Sequence, residues 1–276
     1  MSRLYSPRPL EIIDTTLREG QQTSLLHDYQ KYFFDIADKL DIVRALILYG
    51  IKYIELFSPV VSSQEAQDFE RIRSLRDELI TQKGYTFLLA HVRAHPRDIE
   101  AAVEAGFDGL NIYLGPSPQS RHGNHGKDLA TIAQQAGGLL EEVRRKYPEL
   151  ILRFSGEDAF RTDLDDLFQV YDPLVPLVDR LGFPDTVGVA TPDQVSYRVE
   201  QFRQRYPDTP LEIHFHDDRG FALLNTLAAI QAGARYVNTT LLGFGERSGI
   251  TSLTALLFNL FLDGYYDQLE GYHLRG

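Results

Sequence analysis

The sequence predicts a single (β/α)8 barrel. Three observations carry that prediction: short β-branched or aliphatic runs alternate with amphipathic stretches from end to end, eight such units can be counted, and 276 residues suit one closed α/β barrel, which needs about 250. An open doubly wound sheet is the runner-up, disfavoured because no Gly-rich dinucleotide fingerprint follows the first strand. One domain over residues 1–276 is therefore expected.

The expected strands are Leu10 to Thr15, Tyr53 to Phe57, Thr86 to His91, Gly109 to Leu114, Ile151 to Phe154, Thr186 to Val189, Leu211 to His216 and Tyr236 to Leu241. The first helix is expected from near Asp28 to Tyr49, where Ile36, Leu40, Val43 and Ile47 form one apolar stripe at spacings of four, three and four. Leu253, Leu256, Leu257 and Leu260 do the same in the last helix. Gly50, Gly106 and Gly233 stand where helix C-caps belong. A Gly/His/Pro-rich loop, Gly115 to Gly126, is longer than a connector requires, and long loops at one mouth of a barrel are often functional.

Composition excludes several classes. No apolar run reaches membrane-spanning length, and MSRLYSPRPLEIID lacks the apolar stretch of a signal peptide, so no membrane partner and a cytoplasmic location are expected. Cysteine is absent, which removes disulfides, thiolate metal sites and cysteine nucleophiles together. The formal charge is −11, from 28 basic and 39 acidic residues, with no Lys/Arg cluster, so nucleic acid is not an expected partner. Neither a GxxxxGK phosphate loop nor a GxSxG nucleophile elbow occurs, which disfavours phosphoryl transfer and serine hydrolysis.

His214 and His216 are two apart on an expected strand, so both side chains point to one face, and at the C-terminal end of a barrel strand that face is the mouth. One metal could bind both, with Asp217 or Asp218 adding a ligand or orienting an imidazole. Alone, H-x-H is a weak signal, because histidines on a strand are more often simply hydrogen-bonded core groups. The first strand adds to it, because Asp14-Thr-Thr-Leu-Arg18-Glu19-Gly-Gln-Gln22 packs acids, an arginine and amides where a barrel needs only a turn. Glu19 is the expected third ligand. A Glu with two imidazoles leaves positions for a substrate offering two oxygens, such as a 2-oxo acid, and Arg18 could stabilise an alkoxide formed at its ketone. A structural ion pair between Asp14 and Arg18 is also compatible, but it leaves Glu19 unexplained.

DTTLREGQQT, IHFHDD and LLGFGERSGITSL resemble the signature segments of the metal-dependent acyltransferase and lyase barrels, the family of homocitrate synthase, isopropylmalate synthase and hydroxymethylglutaryl-CoA lyase. The resemblance runs along nearly the whole chain. It is nearest to homocitrate synthase in the Glu after the arginine, in YIELFSP and in the Ile-Thr pair of GERSGIT. It implies a divalent cation (Zn, Mn or Mg) on Glu19, His214 and His216, Arg18 assisting the chemistry, and Gln22 touching the oxo acid. It further implies that His91, Arg153, Ser155, Glu157 and Thr186 surround a dicarboxylic substrate, with Arg153 as a two-pronged carboxylate clamp. A strand-end salt bridge is the plainer reading of Arg153 and Glu157. The implied reaction is a Claisen condensation of acetyl-CoA with a 2-oxo acid, 2-oxoglutarate first, in a homodimer. Gly243 to Arg247 stands where many barrels bind phosphate and could approach CoA.

Departures from the family pattern fall outside the metal ligands. Asn111 stands where an acid is usual, Asn124 and Ser248 replace a Ser and an Asn, and Gln21 replaces a Glu. Phe57, Tyr113 and Phe244 could line a less polar pocket or simply pack. The family's synthases continue into C-terminal subdomains that bring a His/Tyr acid-base pair to the partner's site, and these are absent from residues 1–276. The local candidates for a general base are then His125 and Glu157. Two alternatives stay open: a carbon–carbon lyase or aldolase, against which the missing loop cysteine speaks, and a non-catalytic 2-oxo-acid-binding descendant.

Overall fold

Eight parallel strands close into one barrel in sequence order: β1 (Glu11–Asp14), β2 (Tyr53–Phe57), β3 (Phe87–Arg93), β4 (Gly109–Tyr113), β5 (Ile151–Ser155), β6 (Arg180–Asp185), β7 (Leu211–Phe215) and β8 (Tyr236–Thr239). β8 pairs back onto β1 with Ile13 opposite Asn238. The computed structural model describes residues 10–22, 34–269 and 271–272. Each strand is followed by a helix: α1 (Ile36–Tyr49), α2 (Ser63–Lys83), α3 (Pro96–Ala105), α4 (Leu129–Lys146), α5 (Leu164–Tyr171), α6 (Pro192–Arg205), α7 (Ala222–Ala232) and α8 (Leu253–Leu262). No helix among the described residues is long and apolar enough to cross a membrane.

Caps explain where helices begin and end. α1 starts at a reciprocal capping box between Asp35 and Asp38 and stops at Gly50, whose φ of 100° suits a residue without a Cβ. Its expected beginning near Asp28 lies outside the described residues. Val43 and Ile47 of the expected stripe are buried, while Ile36 and Leu40 are half-buried. Lys39 is fully buried instead, its Nζ 2.7 Å from both Glu65 and Asp68 of α2. In α8 the four expected leucines are all buried.

The sixth strand corrects an expectation. It runs over Arg180–Asp185, not Thr186 to Val189. Gly182 and Pro184 make RLGFPD look like a breaker, but the glycine is required there, because a Cβ would lie 2.7 Å from Ser155 Oγ and 2.9 Å from Arg153 Nη1. The apolar TVGVA that follows is a turn. The Asp185 carboxylate accepts the amides of Val189 and Ala190 at 3.0 and 2.9 Å, and Gly188 takes φ 64°.

Alternation along the strands divides two interiors. Ile12, Ile54, Leu88, Leu110, Leu152, Leu181, Ile213 and Val237 are buried in the apolar core between sheet and helices. Inside the barrel the filling is largely polar where bulky aliphatics are usual. Glu55, Asn111, Arg153, Arg180, Glu212 and Asn238 are all buried there, and Arg180 sits over the rings of Tyr236 and Tyr53 at 4.8 and 5.5 Å.

Candidate metal centre

β7 carries Glu212 and His214, with His216 just past its end, and the period of two puts all three side chains on the inner face. The Nε2 atoms of the two histidines are 3.2 Å apart. Glu19 arrives from the turn after β1, where the Thr15 carbonyl accepts the amides of Arg18 and Glu19 at 3.0 and 2.7 Å. Its carboxylate oxygens lie 3.8 Å from each Nε2. One ligand atom from each residue falls within 4.8 Å of the others, and all three residues are buried.

The electrostatics suit a cation. Burial would raise the Glu19 carboxyl, but Arg18, the two histidines and the Glu246 amide together outweigh this and hold it at about 2. Burial, reinforced by His216, pushes His214 down to about 3, and burial also lowers His216. A charged carboxylate and two neutral imidazoles are the protonation states that a divalent metal binds. The donor set, two nitrogens and one carboxylate, fits Zn or Mn and tolerates Mg.

Arg18 reaches two carboxylates at once. Its Nε donates to Glu55 at 2.8 Å and its Nη1 bonds Glu19, with Gln22 Oε1 3.2 Å from the same Nη1. The alternative ion pair with Asp14 does not form; Asp14 accepts the Thr16 amide and hydroxyl at 3.0 and 3.1 Å.

A cavity of about 670 Å³ opens over the cluster and is lined by every nominated catalytic, substrate-contacting or metal-ligating residue except His125, Asp217 and Asp218. His91 is stacked on Tyr113 at 4.5 Å, and burial, then Arg18, lowers its pKa to about 3. Arg153 is paired through Nη2 with Glu55 at 3.3 Å and through Nη1 with Glu212 at 3.2 Å, leaving a buried Nε without a partner. The Thr186 hydroxyl accepts the amide of Asp158 at 2.8 Å, a residue at φ 64°. Burial, then Asp158 and Glu246, raises the pKa of Glu157. His125 is committed to its loop: Nε2 contacts the Gly115 carbonyl at 2.9 Å and Nδ1 accepts the Lys127 amide at 3.2 Å.

Several expectations shift. Asp217 accepts the Ala222 amide at 2.8 Å and Asp218 is paired with Arg247 at 2.7 Å, so neither belongs to the cluster. The amide of Glu246 donates to Glu19 Oε1 at 3.1 Å, so the Gly243 to Arg247 loop braces a candidate metal ligand. Asn111 lies in the barrel interior, donating to Glu55 and accepting from Arg180 at 3.4 Å, which an acid beside Glu55 could not do without repulsion. Asn124 and Ser248 are exposed, and Phe57 and Tyr113 line the cavity while Phe244 does not. Sequence reading missed Glu55, Glu212 and Asn238, although a polar residue inside the short strands YIELF, LEIHF and YVNT was a usable signal.

Comparison with known proteins places the chain. It matches the HMGL-like family over residues 9–275. It is 40% identical to the mitochondrial homocitrate synthase of Schizosaccharomyces pombe over 94% of this chain and 60% of that protein. It is 39% identical to the mitochondrial homocitrate synthase of Saccharomyces cerevisiae over 95% of this chain and 58% of that protein. The chain thus spans about 60% of the length of these curated relatives. In fold it is similar to hydroxymethylglutaryl-CoA lyase from Pseudomonas aeruginosa, with a TM-score of 0.78 at 21% identity over 97% of this chain and 89% of that one. The expected cytoplasmic location is corrected by these findings, because most of the similar homocitrate synthases are mitochondrial by name. The apolar stretch sought in MSRLYSPRPLEIID bears on secretion and carries no information about mitochondria, whose targeting segments are amphipathic.

Proposed function

The chain belongs to the HMGL-like family, and from that membership we propose that its barrel condenses acetyl-CoA with a 2-oxo acid in a metal-dependent Claisen reaction, 2-oxoglutarate giving homocitrate being the first substrate to test. The observation that carries this reading is the convergence of Glu19, His214 and His216 under a cavity that also holds the Arg18 guanidinium. A divalent cation held there would supply Lewis-acid polarisation of the oxo acid.

The chain's own charges favour an anionic substrate. Arg18, Arg153 and Arg180 are buried against Glu19, Glu55 and Glu212, so these six buried charges balance one another before a cation is added. The excess positive charge that a divalent cation brings is offset by a dianion. Arg18 stabilises the oxyanion developing at the ketone carbon, as a preorganised donor does in a water-poor site. Gln22, His91, Ser155 and Thr186 contact the oxo acid, and Arg153, held between Glu55 and Glu212, lends its charge to the far carboxylate. Glu157, whose pKa is raised toward working pH, takes the methyl proton of acetyl-CoA. Hydrolysis of the thioester then releases CoA. The homocitrate synthases at about 40% identity support both substrates.

The test is release of free thiol from acetyl-CoA by the full natural protein across a panel of 2-oxo acids, repeated after chelation. Chelator-sensitive release with 2-oxoglutarate is expected. Release that survives chelation, or none with any oxo acid, removes the reading.

A further inference from the structure

Behind His214 lies a polar relay from β7 to β8. His214 Nδ1 is 3.2 Å from Oδ1 of Asn238, and Nδ2 of Asn238 donates to Glu212 Oε1 at 3.2 Å. Glu212 is held in turn by Arg180 Nε at 2.5 Å and Arg153 Nη1 at 3.2 Å. Asn238 and Glu212 are 2% and 1% exposed, so these bonds form away from solvent.

A carboxamide can turn either end toward a neighbour, and the neighbours decide which. A carboxylate clasped by two guanidiniums only accepts, so Glu212 takes the NH2 end of Asn238. The amide oxygen is thereby turned to His214. An oxygen can only accept, so the imidazole proton must sit on Nδ1. Nε2 keeps its lone pair, and Nε2 is the atom that faces Glu19 and His216.

We propose that Asn238, oriented by Glu212, is a positioning residue that sets the His214 tautomer for metal binding. The proposal rests on Glu19, His214 and His216 being the metal centre. His216 has no such device, since its Nδ1 is buried without a partner. Orienting partners of this kind commonly change metal affinity by about 10–100-fold when removed.

The test uses the full chain, with two readouts besides activity: the His214 tautomer from 15N shifts of the metal-free protein, and Zn2+ affinity by chelator competition. Wild type should carry the proton on Nδ1. Asn238→Leu, close in size but without either polar group, should mix the tautomers and weaken Zn2+ binding by about 10–100-fold. The double variant Asn238→Asp with Glu212→Gln exchanges acceptor and donor at constant charge and should recover most of the loss. A proton on Nε2 in wild type, an unchanged Asn238→Leu, or a double variant no better than Asn238→Leu would overturn the proposal. If Asn238→Leu fails to fold, Asn238→Ser replaces it, and the wild-type tautomer remains decisive by itself. Failure of the metal-centre reading shows separately, as wild type that binds no Zn2+ whatever its tautomer.

Discussion

The Nε of Arg18 donates to Glu55 Oε1 at 2.8 Å while Nη1 of the same guanidinium bonds Glu19. One planar group therefore ties a candidate metal ligand on the turn after β1 to a carboxylate buried in β2. A lysine carries the charge but cannot hold both carboxylates in that fork. Arg18→Lys should lower kcat for thiol release by about 10²–10³-fold with saturating metal, the range for losing one preorganised donor. Unchanged kcat would mean that Arg18 is structural only.

Gly182 gives Arg153 its place. A Cβ at residue 182 would lie 2.9 Å from Arg153 Nη1 and 2.7 Å from Ser155 Oγ, so Gly182→Ala must push both aside. Such a displacement costs on the order of 10²-fold in kcat/KM. The effect should fall on the KM for the oxo acid, with Zn2+ affinity retained, in steady-state kinetics paired with metal titration.

Arg180 is 2% exposed and is paired with Glu212 at 2.5 Å. Arg180→Leu leaves Glu212 with Arg153 as its one guanidinium partner, beside the Asn238 amide. Removing one partner of a buried pair costs about 3–5 kcal/mol, and the lower end is expected here because Arg153 remains. Urea unfolding of the metal-free proteins measures it.

Asp14 supplies a pH signature. Burial raises its pKa from 3.8 to about 7, against the opposing bonds from Thr16. A group whose folded pKa is raised contributes stability fully present below its unfolded pKa and lost as pH rises through the folded value. The window here is therefore about pH 4 to 7, and the loss across it is on the order of 4 kcal/mol. Asp14→Asn should flatten that slope and be more stable than wild type at pH 8, as thermal melts across pH would show. A wild type whose stability is flat from pH 4 to 8 would contradict it.

How much was legible follows from how local each signal is. The α8 leucine stripe and the His214–His216 alternation are written within a few residues, and the structure carries both. Glu19 was legible because nothing in a turn calls for a buried acid. β6 was not, because Gly182 reads as a breaker until Arg153 and Ser155 are seen pressing against it. Glu55 escaped for the same reason: its partners Arg18, Asn111 and Arg153 lie 37, 56 and 98 residues away and meet it only when the barrel closes. The loop after β8 carries a contact that no local pattern announces, because the Glu246 amide faces Glu19, 227 positions away.

The central claim is that Glu19, His214 and His216 hold one divalent cation. It is tested most directly by Zn2+ titration of the metal-free protein beside Glu19→Gln, which keeps the side chain's shape and removes its charge. One equivalent bound by wild type and a loss in Glu19→Gln beyond the roughly 100-fold reached by orienting residues is the predicted result. Equal Zn2+ affinity in the two proteins would contradict it.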